Sequence, residues 1–223
     1  MNLDVLWHYL PSLAFGFGVT VFCWSAGGAL GMALGFAIAL LRRAPFPPLR
    51  WALRIFIEVF RGTPFLVQLF ILYAGGPAIG IELGATQAGV LGLGLYSSAY
   101  FAEIFRAGFA AVPRGQIEAA AAVGMTRLDT LVRVELPGAL IAAVPAIVNM
   151  LIVLSKETVV LSIITVPELM YQMQTMAAET FTAFDAIFAM AVFYWILVEA
   201  VSRLGARVEK RVTAYLAIEG QRA

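Results

Sequence analysis

Along the chain, stretches free of Asp, Glu, Lys and Arg alternate with short charged interruptions. Five stand out: Val5 to Leu41, Gly62 to Ile81, Leu83 to Ala102, Leu136 to Ser155, and one centred on Ala186 to Val198. A helix crossing the hydrocarbon of a bilayer needs about 20 mainly apolar residues, so the pattern predicts five spanning helices. The second has a more charged beginning at Arg54, Glu58 and Arg61, the fourth is interrupted by Lys156 and Glu157, and the fifth finishes in Arg203, Arg207, Lys210 and Arg211. In the first, Gly27, Gly31 and Gly35 recur every four residues, the small-residue spacing that lets helix backbones approach closely in lipid. Cys23 and Trp24 fall mid-span and read as packing residues. Trp7 and Tyr9 at one end, and Trp51 at the other, suit interfacial anchors.

Loops rich in Lys and Arg stay on the cytoplasmic side. Arg42, Arg43, Arg50 and Arg54 follow the first span, Arg106, Arg114, Arg127 and Arg133 the third, and the basic cluster the fifth. The opposite loops hold Asp4, Glu82, Glu168, Glu179 and Asp185 with no Lys or Arg. This bias places the N-terminus outside and the C-terminus in the cytoplasm. Nothing basic precedes the first apolar stretch, which is longer than the 7–15 residues of a signal-peptide core, so it reads as a span and not a cleavable leader. The expected division is a short extracytoplasmic N-terminus (1–11), one transmembrane domain (12–205) and a cytoplasmic tail (206–223).

Composition narrows the function. Of 223 residues 61% are hydrophobic and 13% charged, and the mean hydropathy is +0.89. Soluble domains carry roughly 45–50% apolar and about 25% charged residues, which excludes an ordinary water-soluble enzyme. A net charge of +1 offers no nucleic-acid surface. One cysteine, Cys23, and one histidine, His8, allow neither an intramolecular disulfide nor a His/Cys metal cluster. The two lysines are preceded by Ser155 and Glu209, so no glycine-lysine P-loop is available to hold nucleotide phosphates. ATP chemistry, if the protein depends on it, belongs to a partner.

The segment Arg114 to Glu135 is too polar for lipid and is punctuated as two short helices. The first starts after Pro113 and runs to Val123, where Gly124 stops it by accepting the left-handed conformation of a helix terminus. Thr126 with Asp129 has capping-box spacing and marks a second start, and Pro137 limits that helix before the fourth span. A helix-turn-helix held at the membrane face is a lever for a soluble partner. Glu118, Ala119 and Ala120, then Gly124, then Val134, Leu136 and Pro137 fit the pattern E-A-A, three residues, G, nine residues, I/V-x-L-P, which resembles the coupling signature of ABC importer permeases. Further stretches resemble the polar amino-acid branch (histidine, glutamine, arginine, opine): EVFRGTPFLVQLF (Glu58 to Phe70), AYFAEIFRAG (Ala99 to Gly108), VPRGQIEAA (Val112 to Ala120) and KETVVLSIITVPEL (Lys156 to Leu169).

The resemblance implies an all-α type I importer permease with five spans in a bacterial inner membrane. It also implies a second permease subunit, identical or homologous, a cytosolic pair of ATPase subunits that bind ATP and Mg, and an extracytoplasmic solute-binding protein. No cofactor is expected in this subunit. Coupling to the ATPase falls to Gln116, Glu118, Ala119, Ala120, Gly124 and Met125. Many members of the family it resembles carry a carboxylate after the position of Asn149, where this chain has Met150, which points away from a cationic solute and leaves neutral or acidic solutes and amino-acid derivatives open.

Two acid/base pairs, Glu58 with Arg61 and Glu103 with Arg106, stand at i,i+3 spacing, where neighbours on a helix can neutralise each other. Gly62, Thr63 and Pro64 follow the first pair and predict a kink, static or flexing with the gate, with the Thr63 hydroxyl available to a freed carbonyl. Lys156 and Glu157 are costly inside a span. Asn149, Lys156, Glu157 and Thr158 are the candidates to line the path of a small polar solute: Asn149 lies two turns before Lys156 on the same helix face, Thr158 can add a hydroxyl, and Glu157, about 100° round, is expected to meet another helix or the partner subunit. The alternative is a fixed ion-pair network at the outer interface with the lysine snorkelling.

Outside, Thr165 and Glu168 have capping-box spacing with Pro167 between them, predicting a short helix through about Met176. Thr182 and Asp185 resemble the start of the fifth span more weakly. The acids of these outer loops are candidates to receive the binding protein. Two other functions compete: a secondary transporter or channel without an ATPase, whose ion path would have only Lys156 and Glu157, and an intramembrane Ser155–Lys156 dyad, which diverging helix neighbours disfavour.

Overall fold

A computed structural model describes residues 3–220, with side chains from 4 to 211. Residues 1–2 and 221–223, the extremities of the expected N-terminal segment and tail, lie outside the described residues. The described chain is all helix and turn. It comprises α1 (Leu3–Leu41), α2 (Pro47–Gly62), α3 (Phe65–Tyr73), α4 (Ala85–Ala111), α5 (Arg114–Ala122), α6 (Arg127–Thr130), α7 (Leu136–Glu157), α8 (Leu169–Thr180) and α9 (Ala183–Gly220). The expected boundaries near residues 11 and 206 both fall inside uninterrupted helices.

Among the described residues four helices are long and apolar enough to cross a membrane, and α2 with α3 supplies a fifth crossing only as a pair bent by 109°. The expected kink at Gly62–Pro64 is present and sharp, and the expected second span, Gly62 to Ile81, is corrected in its extent. Thr63 and Pro64 break the helix with extended backbone, and only the nine residues of α3 continue. That the pair returns across the bilayer follows from the packing of α1 on α4. Gly27, Gly31 and Gly35 face Leu93, Ser97 and Phe101 in the same order, so the two helices run parallel. The chain must come back between them.

The central element is α4: 67% of its apolar stretch is buried, against 28% for each of the other three long helices. Close approach requires the glycines. A Cβ at Gly31 would sit 1.9 Å from Ser97 Oγ and 2.9 Å from the Gly94 carbonyl oxygen, and one at Gly108 would sit 2.5 Å from the Ala139 carbonyl oxygen. Around α4 gather Cys23, Phe65, Leu69, Met150, Leu154 and Leu161. Trp24, expected only to pack, also ties α1 to α7, since its indole N–H donates to the Leu151 carbonyl at 2.8 Å. Large apolar side chains such as Phe15, Phe22, Phe188 and Trp195 remain exposed on α1 and α9, as a lipid-facing surface requires.

The second cytoplasmic helix is also corrected. Pro137 does not end it: α6 passes through a π-helical segment, Leu131–Glu135, straight into α7. Proline has no N–H to hold the carbonyl four residues back. A wider turn, with the Leu136 N–H on the Leu131 carbonyl, absorbs the defect, so helix continues where a stop was expected.

Candidate functional site

At the arginine-bearing end, α5 and α6 form the expected pair of short helices joined at Gly124. Gly124 has φ +81°, and the two bonds that close α5 are the Met125 N–H to the Ala120 carbonyl (3.1 Å) and the Gly124 N–H to the Ala121 carbonyl (3.0 Å). This is the glycine-terminated helix end described for C-caps. The Asp129 N–H donates to Thr126 Oγ1 at 3.1 Å to start α6, and the Thr126 hydroxyl turns to the Asp129 carboxylate. Ala120 is buried and Met125 half-buried, whereas Gln116, Glu118 and Ala119 are exposed. Sequence reasoning missed two neighbours of Gly124: Val123 and Leu128 are 77% and 69% exposed. Both apolar side chains flank the polar turn at Gly124.

The same end carries a charge network of which the spacing rule found only half. Arg106 Nε reaches Glu103 Oε2 at 2.7 Å, and Arg42, from the end of α1, pairs with the same carboxylate. Arg43 pairs with Glu135 and lies 4.7 Å above the Phe109 ring. Glu58 and Arg61 do not pair as expected. No ion pair joins them among the described residues, and the Arg61 guanidinium stacks 5.3 Å from the Tyr100 ring. At the Gly62–Pro64 break, the Thr63 hydroxyl donates to the Val59 carbonyl at 2.8 Å, and the Gln68 amide donates to the carbonyls of Phe60 (2.8 Å) and Thr63 (3.0 Å). Gln68 thus caps a freed helix end, a role hidden from sequence because the donor comes from the next helix.

Along α7, Ala142, Ala146, Asn149, Val153 and Lys156 are all exposed at helical spacing and form one open face. Its lower part continues into a groove of about 340 Å³ walled on α4 by Tyr100, Glu103 and Gly108. Asn149 and Lys156 are brought onto this face, and no ion pair involves Lys156 among the described residues. Glu157 is half-buried. Thr158 is not on this face: it is fully buried, its hydroxyl donates to the Ser155 carbonyl at 2.8 Å, and Tyr194 Oη lies 3.0 Å away. Ser155 is buried with its hydroxyl on the Ile152 carbonyl at 2.8 Å, while Lys156 is exposed, so no serine-lysine dyad forms.

At the acidic end the expected cap at Thr165 is corrected. Thr165 has φ +62° and ends the preceding 3-10 turn, Thr158–Ile164. Pro167 disfavours helix at Val166, so the cap passes to Glu168, which opens α8 by accepting the N–H groups of Met170 and Tyr171, both at 2.9 Å. The helix runs on to Thr180. Glu168 is fully buried, with the Thr20 hydroxyl of α1 3.3 Å away, and Asp185 is 5% exposed, so neither acid faces outward for docking. Tyr9 bonds Glu179. Burial lifts the Glu168 carboxyl to about 7, against three hydrogen bonds that favour its ionised form. Because the folded value lies above the unfolded one, its contribution to stability is complete in acid below the usual carboxylate range and is lost as pH rises through about 7.

Residues 27–214 match the family described as "Binding-protein-dependent transport system inner membrane component". A probable glutamine ABC transporter permease of Bacillus subtilis is 32% identical over 95% of this chain and 98% of its own length. The L-cystine transport system permease of the same organism is 36% identical over 94% and 90%, and its arginine transport system permease 33% identical over 95% and 98%. Among solved structures, a chain of an amino acid ABC transporter crystallised with histidines superposes with a TM-score of 0.89 at 34% identity, covering 95% of this chain and 99% of that one. An inward-facing methionine transporter chain at 22% identity shares the fold, with a TM-score of 0.79. The helical fold and these likenesses converge: the chain belongs to the binding-protein-dependent transport system inner membrane component family and is a permease subunit of an ABC transporter.

Proposed function

We propose that this permease imports a polar amino acid or amino-acid derivative across a bacterial inner membrane, with its N-terminus outside and the arginine-bearing end in the cytoplasm. A second permease copy or homologue completes the pathway and an extracytoplasmic binding protein delivers the solute. Two cytosolic ATPase subunits, which bind ATP and Mg, close on the α5–α6 lever. The observation that carries this reading is the lever itself. Glu118 and Ala119 are presented to solvent on a helix whose Ala120 is anchored inward, and exposed Val123 and Leu128 follow on either side of Gly124. The amino-acid class rests on the relatives' named substrates, glutamine, cystine and arginine. Met150 is buried and offers no carboxylate, which favours a neutral or acidic solute over a cation.

Lys156 is the group on the α7 face that compensates a solute carboxylate as it leaves water. A hydrogen bond to a charged group contributes about 1.5–3 kcal/mol. Lys156→Ala is therefore expected to weaken the half-saturating solute concentration for uptake roughly tenfold or more, with the maximal rate largely kept. Uptake titrations in proteoliposomes containing the full transporter measure this, and unchanged affinity would show that Lys156 does not touch the solute.

A further inference from the structure

We infer that the Arg43–Glu135 pair is the strut through which movement of the α5–α6 lever reaches the α1–α4 pair. The inference rests on the proposed coupling role of the lever and names the positioning residues that pass it on. Three observations meet at this pair. Glu135 is the last residue of the π-helical segment, and its side chain is only 10% exposed. The segment is the weak joint of the lever, since Pro137 supplies no N–H to the Arg133 carbonyl and the bonding shifts to Leu136 on Leu131. A load applied at α5 and α6 is therefore expected to turn the chain at Leu131–Glu135 while α7 beyond it stays regular.

Arg43 stands on the other side of the joint. It follows the last turn of α1, holds the Glu135 carboxylate, and lies across the Phe109 ring of α4. Its neighbour Arg42 pairs with Glu103, which binds Arg106, so the end of α1 is also fastened to α4 by charge. Above these contacts the glycine seam leaves α1 and α4 no room to slide independently. A push on Glu135 is passed to two helices that move as one. Between the lever and α1 a groove of about 450 Å³, with Leu40, Ile117, Ala121 and Met125 in its walls, leaves the lever space to move against Arg43.

The design of the test follows from burial. The Glu135 carboxylate is buried while the Arg43 side chain is 39% exposed, so removing Arg43 alone strands a buried charge, whereas replacing both with apolar residues of similar volume is commonly neutral for stability. In the complete transporter in proteoliposomes, the double variant Arg43→Met with Glu135→Leu is expected to assemble, keep its thermal midpoint and hydrolyse ATP. Solute carried per ATP hydrolysed should fall at least tenfold. Arg43→Lys, which retains charge but not the flat stack on Phe109, should fall between this variant and wild type. A ratio within twofold of wild type in both variants would overturn the strut. So would a loss of transport that follows only a loss of folded complex in the double variant, provided Arg43→Lys couples normally. Failure of the underlying reading looks different: wild type itself would show no ATP-dependent uptake.

Discussion

Gly124→Val is expected to reduce transport more than tenfold while leaving the protein folded in the membrane. At φ +81° the backbone is in the left-handed region, where a Cβ costs an L-residue roughly 1–2 kcal/mol and a β-branched one more. The space around Gly124 is open, with nothing within 4 Å of an added Cβ, so the effect comes from the backbone and not from a clash. To escape the strain, the chain gives up the two bonds that close α5 and changes the angle between α5 and α6. Exposed Val123 and Leu128 then no longer present the same surface to the motor. Gly124→Asn, which tolerates this conformation better, is expected to retain partial transport. Gly115→Ala, also open but inside α5 with ordinary backbone, should transport normally and gain helix stability of about 0.5–1 kcal/mol. Comparing membrane abundance with uptake for the three variants separates coupling from folding.

Gly31→Val should act on the opposite property, assembly of the spans. An added Cβ meets Ser97 Oγ at 1.9 Å and the Gly94 carbonyl oxygen at 2.9 Å. The serine can rotate, but the carbonyl belongs to the backbone of the central helix and cannot move without displacing α4. Forcing volume into a packed interface costs typically 1–3 kcal/mol and more when backbone must shift. The expected outcome is a large drop in thermal stability in detergent, with most of the protein lost to aggregation. Gly18→Ala lies on the same helix with nothing within 4 Å and should behave as wild type. Equal behaviour of the two variants would show that the seam is looser than described.

Among the described residues the four long spans, the glycine seam and the end of α5 were legible because each is written in local spacing: apolar length, a four-residue repeat, and a glycine where a helix must stop. The failures share a cause. The proline predicts the kink at Gly62–Pro64, but not its 109° turn or the Gln68 amide that holds the break, which comes from the following helix. Pro137 carries a local stop signal that a π turn absorbs. Thr165 has capping-box spacing with Glu168, but Pro167 moves the helix start, and burial against Thr20 decides where the carboxylate goes. Thr158 lies near Lys156 in sequence but points into the protein toward Tyr194 once α7 tightens into a 3-10 turn. The Arg43–Glu135 pair joins residues 92 positions apart, beyond the reach of any spacing rule.

The central claim is that this chain is a passive gate worked by a separate ATPase. It is tested most directly by uptake of labelled amino acid into proteoliposomes, with solute-binding protein outside, prepared with and without the ATPase subunits and with and without ATP inside. Accumulation against a gradient only when permease, ATPase and ATP are all present is the predicted result. Equal accumulation in vesicles lacking the ATPase would contradict the account.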